Sequence, residues 1–184
     1  MKTRSSVKNM TLTAVCIALC VVLPFAFHSI PDAGTVFLPM HIPVLICGMI
    51  CGWPYGFICG LMGPLLSSAL TGMPPIAFLP AMMVECGVYG LVSGIVLKFV
   101  HTKNTYGDLY IALVTAMIAG RVVSGIAKAL IFTPGLALSA WITASFVMAL
   151  PGILIQLVFL PSVVFTLMKA RVIPHRYEKG ELTI

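Results

Sequence analysis

Two positively charged side chains stand inside an apolar stretch of this sequence. Arg121 and Lys128 interrupt residues 109–132, which otherwise consist of aliphatic, small and a few weakly polar residues. A charge at bilayer depth costs at least about 2.5 kcal/mol unless it faces a partner or a hydrated cavity. Their separation is about two helical turns, so both cations fall on one helix face, about 10 Å apart. Ser124 lies between them on that face. The pattern predicts a pocket for an anionic group.

One carboxylate is available to balance the two cations. Glu85 is the only acidic residue in the interior of an apolar stretch, and the predicted spans place it between Arg121 and Lys128 in depth. An ion pair of Glu85 with one cation would be a purely structural explanation, but it leaves the other cation for a ligand, a group of carbonyls or water. We predict that all three contribute to a substrate site, where Arg would hold a carboxylate with two hydrogen bonds and Lys would act as a point charge.

Two further polar residues are candidates for the same site. Gln156 could donate a hydrogen bond to a ligand or to a neighbouring helix, and the sequence leaves both open. His41 follows a proline-rich and glycine-rich segment, where it could line the mouth of a cavity or be solvated in a loop. We predict a substrate-binding set of Lys128, Arg121, Glu85, Gln156, His41 and Ser124, with no catalytic residue and no metal ligand.

The composition indicates an integral membrane protein. Of the 184 residues, 60% are hydrophobic and only 9% are charged, and the mean hydropathy is +1.09, whereas about a quarter of a soluble domain is charged. We expect one all-α transmembrane domain over residues 1–184, with short tails at about 1–8 and 170–184. The net charge of +6 is explained by basic residues outside the spans, which set orientation, and nucleic acid is not an expected partner.

Hydropathy and length predict a bundle of six transmembrane helices at about 9–27, 36–51, 53–70, 75–99, 108–132 and 138–168. Nine Lys and Arg residues fall on one side of these spans and none on the other, so both termini are expected in the cytoplasm. Proline and glycine break the chain on the opposite side, around residues 29–43 and 71–75. Irregular backbone at membrane depth is tolerated where it is buried or lines a cavity, which indicates a cavity that opens outward.

Other features favour packing over chemistry. The six cysteines all lie in apolar runs without metal-ligand spacing, and we expect them to be small core residues. Glycines recur at Gly48, Gly52, Gly56 and Gly60, a pattern that would press spans two and three together. The sequence has no Walker A loop, no H-E-x-x-H and no G-x-S-x-G, so we expect no ATPase activity by this chain alone and no enzyme.

Several segments together resemble a known family. They are 38–45 (LPMHIPVL), 52–56 (GWPYG), 63–68 (GPLLSS) and, in span one, 14–18 (AVCIA), which matches an A-x-x-x-A pattern. With six short spans and cytoplasmic ends, the chain is similar to the substrate-binding S component of energy-coupling factor (ECF) vitamin transporters. The resemblance covers nearly the whole chain.

The resemblance implies a multi-pass protein of the bacterial cytoplasmic membrane that binds a small vitamin or related micronutrient from outside. It also implies partners: an ECF coupling transmembrane subunit, on which Ala14 and Ala18 would dock, and two ATPase subunits that supply the energy. No cofactor is implied. The excess positive charge favours a carboxylate-bearing vitamin such as pantothenate or nicotinate. A neutral ligand remains open if Glu85 and a second polar group neutralise the cations.

Two other functions are compatible with the sequence. The chain could be a self-sufficient small channel or carrier for an organic anion, oligomeric through its glycine-rich face. It could also be a small intramembrane enzyme or assembly factor, although a single buried carboxylate leaves few groups for acid–base chemistry.

Overall fold

The computed structural model describes residues 2–26, 36–132 and 138–170, and every regular element in this part of the chain is helical. The all-α prediction is thus confirmed for the described residues. The predicted loops at 27–35 and 133–137 and the tail at 171–184 lie outside the described residues. The elements, in chain order, are α1 (Lys2–Ala26), α2 (His41–Cys51), α3 (Trp53–Thr71), α4 (Leu79–Phe99), α5 (Thr105–Ala127), a π-helical segment (Lys128–Phe132), α6 (Leu138–Ile142), a second π-helical segment (Thr143–Met148) and α7 (Leu150–Lys169).

Four helical stretches among the described residues have the length and composition to cross a membrane: Ser6–Ala26, Leu79–Phe99, Thr105–Phe132 and Leu150–Lys169. The predicted second span is represented by α2, which has 11 residues and is too short to cross alone. The predicted third span is α3, which has 19 residues but is diluted by glycine, proline and serine. The count of six spans and the orientation of the termini therefore stay predictions.

The predicted sixth span is not one helix. Residues 138–168 form α6, a π-helical segment and α7, with a turn at Ala149 between the last two. Pro151 explains the new start, because proline is tolerated in the first turn of a helix and disrupts its interior. The predicted fourth span also begins later, at Leu79, because residues 72–78 form turns and irregular backbone around Pro74 and Pro75.

Helix α4 is the centre of the packing and contacts α2, α3 and α5. Glycines permit the close approach: a Cβ on Gly56 or on Gly48 would overlap the backbone of Gly90, and one on Gly60 would overlap that of Cys86. The glycine repeat therefore presses α2 and α3 mainly against α4. The expected contact between α2 and α3 is also present, because a Cβ on Gly56 would overlap the backbone of Gly48 as well.

The remaining core is as the sequence indicates. All six cysteines are buried and free, and they belong to one apolar cluster with residues of α2, α4, α5 and α7.

At the opposite end of the bundle from the candidate site, Asp108 is fully buried and accepts hydrogen bonds from the amide and hydroxyl of Thr102, at 2.8 and 2.7 Å. This pair fixes the short connection between α4 and α5.

Replacing Gly90 by Ala tests the packing of α3 on α4. The new methyl group would overlap the Gly56 carbonyl, which is backbone and has no rotamer to change. We expect destabilisation of about 1–3 kcal/mol, measured as a fall in melting temperature of the purified protein in detergent. Gly87→Ala, on the same helix, is the matched control, because its nearest neighbours are flexible side-chain atoms of Leu61 and Phe57 at 3.3–3.6 Å. Equal melting temperatures for the two variants would contradict the packing described here.

Candidate functional site

Glu85 on α4 is surrounded by four side chains, and we call these five residues the Glu85 cluster. The hydroxyl of Tyr89 donates to Glu85 Oε1 at 2.9 Å, and that of Ser124 donates to Oε2 at 3.1 Å. Two nitrogens lie slightly farther away, His41 Nε2 at 3.7 Å from Oε1 and Lys128 Nζ at 3.9 Å from Oε2. Because α2, α4 and α5 all contribute, the carboxylate joins three helices.

The backbone explains how these side chains meet. Tyr89 follows Glu85 by one helical turn, and its buried ring lies directly against Gly120 of α5, where a Cβ would overlap it. Glycine at that position therefore lets α4 and α5 approach at the level of the site. The His41 ring packs against Tyr89, with 5.2 Å between ring centroids.

The structure decides which cation Glu85 pairs with. Lys128 lies within ion-pair distance of Glu85, and its side chain is 30% exposed. Arg121 is only 3% exposed, and among the described residues no carboxylate lies within 4.0 Å of it. The internal ion pair that the sequence allowed thus exists, and it leaves the guanidinium of Arg121 as the unbalanced charge.

Arg121 faces an aromatic pair. Its guanidinium lies 5.5 Å from the centre of the Phe146 ring, and Phe146 packs edge-on against Trp141, with 5.8 Å between ring centroids. The Trp141 ring in turn fits against Gly125, one turn beyond Arg121 on α5. A cation–π contact stabilises a buried cation by about 2 kcal/mol, but it provides no hydrogen-bond acceptor. Arg121 Nε has no hydrogen-bond partner among the described residues.

A second polar group approaches from α7. Gln156 is fully buried, and its Nε2 lies 3.5 Å from the Leu38 carbonyl, which also accepts from the backbone amide of His41 at 3.1 Å. Leu38 has a φ of 51°, which a residue other than glycine rarely adopts. Such conformations persist where surrounding structure enforces them and are common at functional sites. The carbonyl of Leu38 thereby links Gln156 to the start of α2.

Irregular helix surrounds the site. Lys128 is the first residue of one π-helical segment, and Phe146 belongs to the other. Short π-helical segments occur frequently at functional sites. In a membrane, this departure from α-helical hydrogen bonding is tolerated where protein or a cavity covers the backbone.

The sequence model of the ECF transporter substrate-specific component matches residues 8–172. The chain belongs to this family. No curated protein and no solved structure matches the chain. The resemblance inferred from the sequence motifs is thus confirmed over most of the chain. The protein is a multi-pass membrane protein and a substrate-specific (S) component, a class of transporter subunit and not a class of enzyme.

The six predicted site residues of this S component lie in three places. Glu85, Ser124, Lys128 and His41 lie together in the Glu85 cluster, and Arg121 lies on the same helix, where it faces Phe146. His41 is 1% exposed, so the alternative of a histidine solvated in a loop is wrong. Gln156 bonds to the backbone of Leu38, which lies before α2 and outside the helices, so it meets another segment of the protein and not a second transmembrane helix. Its Oε1 has no hydrogen-bond partner among the described residues.

Sequence reasoning missed Tyr89, Phe146, Trp141 and Leu38. Tyr89 had a usable signal, since it lies one helical turn after Glu85. Phe146 and Trp141 had none, because their approach to Arg121 depends on how residues 138–148 pack against α5. The predicted docking residues Ala14 and Ala18 are both exposed on α1.

Replacing Tyr89 by Phe tests the Glu85 cluster. The change removes one hydrogen bond to a buried carboxylate, for which a loss of about 1.5–3 kcal/mol is typical. We expect a lower melting temperature in detergent, with the helical circular dichroism at low temperature unchanged. Tyr110→Phe is the matched control, because Tyr110 is 42% exposed on α5. If both variants have the melting temperature of the wild type, the Tyr89–Glu85 hydrogen bond does not stabilise the site.

Proposed function

We propose that this S component binds a small carboxylate-bearing vitamin or related micronutrient, such as pantothenate or nicotinate, and that Arg121 holds the carboxylate. The single observation behind the proposal is that Arg121 is only 3% exposed and has no carboxylate within ion-pair distance among the described residues. A buried cation without a counter-ion is strongly unfavourable. A ligand carboxylate would neutralise it through two parallel hydrogen bonds.

The charge balance supports an anionic ligand over a neutral one. Glu85 already receives hydrogen bonds from Tyr89 and Ser124 and has Lys128 at 3.9 Å. The pair of Glu85 and Lys128 is neutral, so Arg121 keeps the site at a net charge of +1. A net positive charge in the site disfavours the neutral ligand that the sequence left open.

The other predicted residues receive distinct roles in this proposal. Lys128 is partly exposed and paired, so it contacts the ligand at the rim of the site and stabilises Glu85. Glu85 and Ser124 fix the position of α5 relative to α4, which sets where Arg121 stands. His41 and Gln156 form the opposite side and meet the part of the ligand that lies away from its carboxylate.

We further propose that uptake requires partners. As an S component, the chain would supply specificity in a bacterial plasma membrane, and it would dock on an ECF coupling transmembrane subunit that is driven by two ATPases. Ala14 and Ala18 are exposed one helical turn apart on α1, so their small side chains leave room for a partner helix to approach closely.

Replacing Arg121 by Gln tests the site. Without the guanidinium, a carboxylate ligand loses its charge-assisted hydrogen bonds, and affinity is expected to fall at least tenfold. Isothermal titration calorimetry of the full chain in detergent, with pantothenate and nicotinate as probes, measures the loss. Mass spectrometry of the small molecule that copurifies with the wild type identifies the natural ligand.

The matched control for this experiment is Lys98→Gln, which removes one positive charge from an exposed residue in the last turn of α4. It should bind like the wild type. Full-strength binding by Arg121→Gln, or a copurified ligand without an anionic group, would refute the proposed role of Arg121.

Replacing both Ala14 and Ala18 by Phe tests the docking surface. Bulky side chains would prevent close helix contact, so we expect unchanged binding by the isolated protein and loss of ATP-driven uptake in liposomes that contain the coupling module. Ile118→Phe, at a residue that is 53% exposed on α5, is the control and should leave uptake intact. Uptake by this chain alone, without ATPases, would argue for a self-sufficient carrier.

A further inference from the structure

Several buried polar atoms in the described part of the chain have no hydrogen-bond partner. Within and beside the site they are Arg121 Nε, Trp141 Nε1, Gln156 Oε1 and His41 Nδ1. His41 Nε2 also lacks a hydrogen bond, but it faces the Glu85 carboxylate at 3.7 Å. A buried polar atom without a partner typically costs about 1–3 kcal/mol, so a native protein rarely leaves several together. A bound ligand that supplies the missing partners explains their concentration here.

The unpaired atoms are hydrogen-bond donors on one side of the site and acceptors on the other. On the α5 side, the N–H groups of Arg121 and Trp141 only donate hydrogen bonds. Gln156 on α7 presents the opposite character. Its amide nitrogen faces the Leu38 carbonyl, and because a carbonyl only accepts, the nitrogen must be the group on that side. The unpaired atom of Gln156 is therefore Oε1, an acceptor.

His41 strengthens the acceptor side. Its Nε2 points towards the Glu85 carboxylate, at 3.7 Å, and a carboxylate favours a proton on the nitrogen that faces it. In the neutral ring, that tautomer leaves Nδ1 as an acceptor. Leu38 holds His41 and Gln156 together, because its carbonyl accepts from the backbone amide of the first and the side-chain amide of the second.

A chain of contacts connects the two sides. It runs from the Arg121 carbonyl to the Ser124 hydroxyl at 3.3 Å, and from there to Glu85 Oε2 at 3.1 Å. Glu85 Oε1 leads to His41, and the backbone of His41 leads to Leu38 and Gln156. These contacts link Arg121, through Ser124, Glu85 and Leu38, to His41 and Gln156, so the donor side and the acceptor side belong to one connected set of residues.

We infer that the ligand of this S component bears, besides its carboxylate, a hydroxyl or amide N–H group that donates to Gln156 Oε1 and His41 Nδ1. The inference rests on the proposed function and narrows the substrate class from any carboxylate to one with a distal hydrogen-bond donor. Pantothenate belongs to that class through its hydroxyls and amide N–H. Nicotinate does not, because its ring nitrogen is an acceptor and would face two further acceptors.

The test compares four carboxylates for binding to the full-length wild type in detergent. Pantothenate and 3-hydroxybenzoate have a distal donor, whereas nicotinate and benzoate have none. 3-Hydroxybenzoate, nicotinate and benzoate are planar and nearly equal in size, so the distal group is the main difference between them. We expect each donor-bearing probe to bind at least tenfold more tightly than nicotinate and benzoate, since a site built to pair a donor rejects analogues that lack it.

A variant assigns the discrimination to Gln156. Gln156→Met keeps a similar size but removes the acceptor, so affinity for pantothenate should fall about tenfold. The weaker affinity for nicotinate should not fall, because its ring nitrogen loses one of the acceptors that it faces. Arg121→Gln should instead weaken all four probes. The comparison of probes on the wild type does not depend on whether either variant folds.

The possible outcomes distinguish failure of the distal-donor inference from failure of the proposed carboxylate-binding function. If nicotinate or benzoate binds as tightly as the donor-bearing probes, the inference is overturned and the carboxylate site stands. If Gln156→Met weakens nicotinate as much as pantothenate, Gln156 does not read the donor and the inference is likewise overturned. If none of the four carboxylates binds the wild type, the proposed function itself fails.

Discussion

A single buried carboxylate organises this bundle. Glu85 accepts hydrogen bonds from Tyr89 and Ser124 and has His41 and Lys128 within 4 Å, so one side chain ties α2, α4 and α5 together. A carboxylate in an apolar interior is tolerated only when its oxygens are fully engaged. The arrangement of its neighbours is therefore constrained, and this constraint fixes where α5 presents Arg121. The unbalanced guanidinium follows from the pairing of Glu85 with Lys128.

Glycine makes that pairing sterically possible. Backbones approach closely where α3 crosses α4 at Gly56 and Gly90, and the ring of Tyr89 occupies the space above Gly120. In a membrane, helices associate through close packing and interhelical hydrogen bonds, since lipid is as apolar as the helix surface. Gly120 in particular lets α4 and α5 approach closely enough for the Ser124 hydroxyl to donate to Glu85.

The geometry fits the role of a substrate-specific component of an ECF transporter. A substrate-specific component has to recognise its ligand. Such a chain needs polar groups that are held in fixed positions inside the membrane. Short π-helical segments occur frequently beside functional sites. The π-helical segments at Lys128–Phe132 and Thr143–Met148 adjoin the Glu85 cluster and Arg121 in this way.

The sequence by itself determined the class of protein, its helical character and the charged residues that lie inside apolar spans. Hydropathy and charge are local properties, so the apolar spans and the rare charges Glu85, Arg121 and Lys128 could be read directly, and the family motifs agreed with them. Tertiary structure alone decided that Lys128, and not Arg121, meets Glu85. It also decided that the last predicted span breaks at Ala149 and that Phe146, before the break, contacts Arg121. Such choices depend on how helices rotate and approach, which is set by contacts between residues far apart in the chain and is therefore invisible to periodicity within one segment.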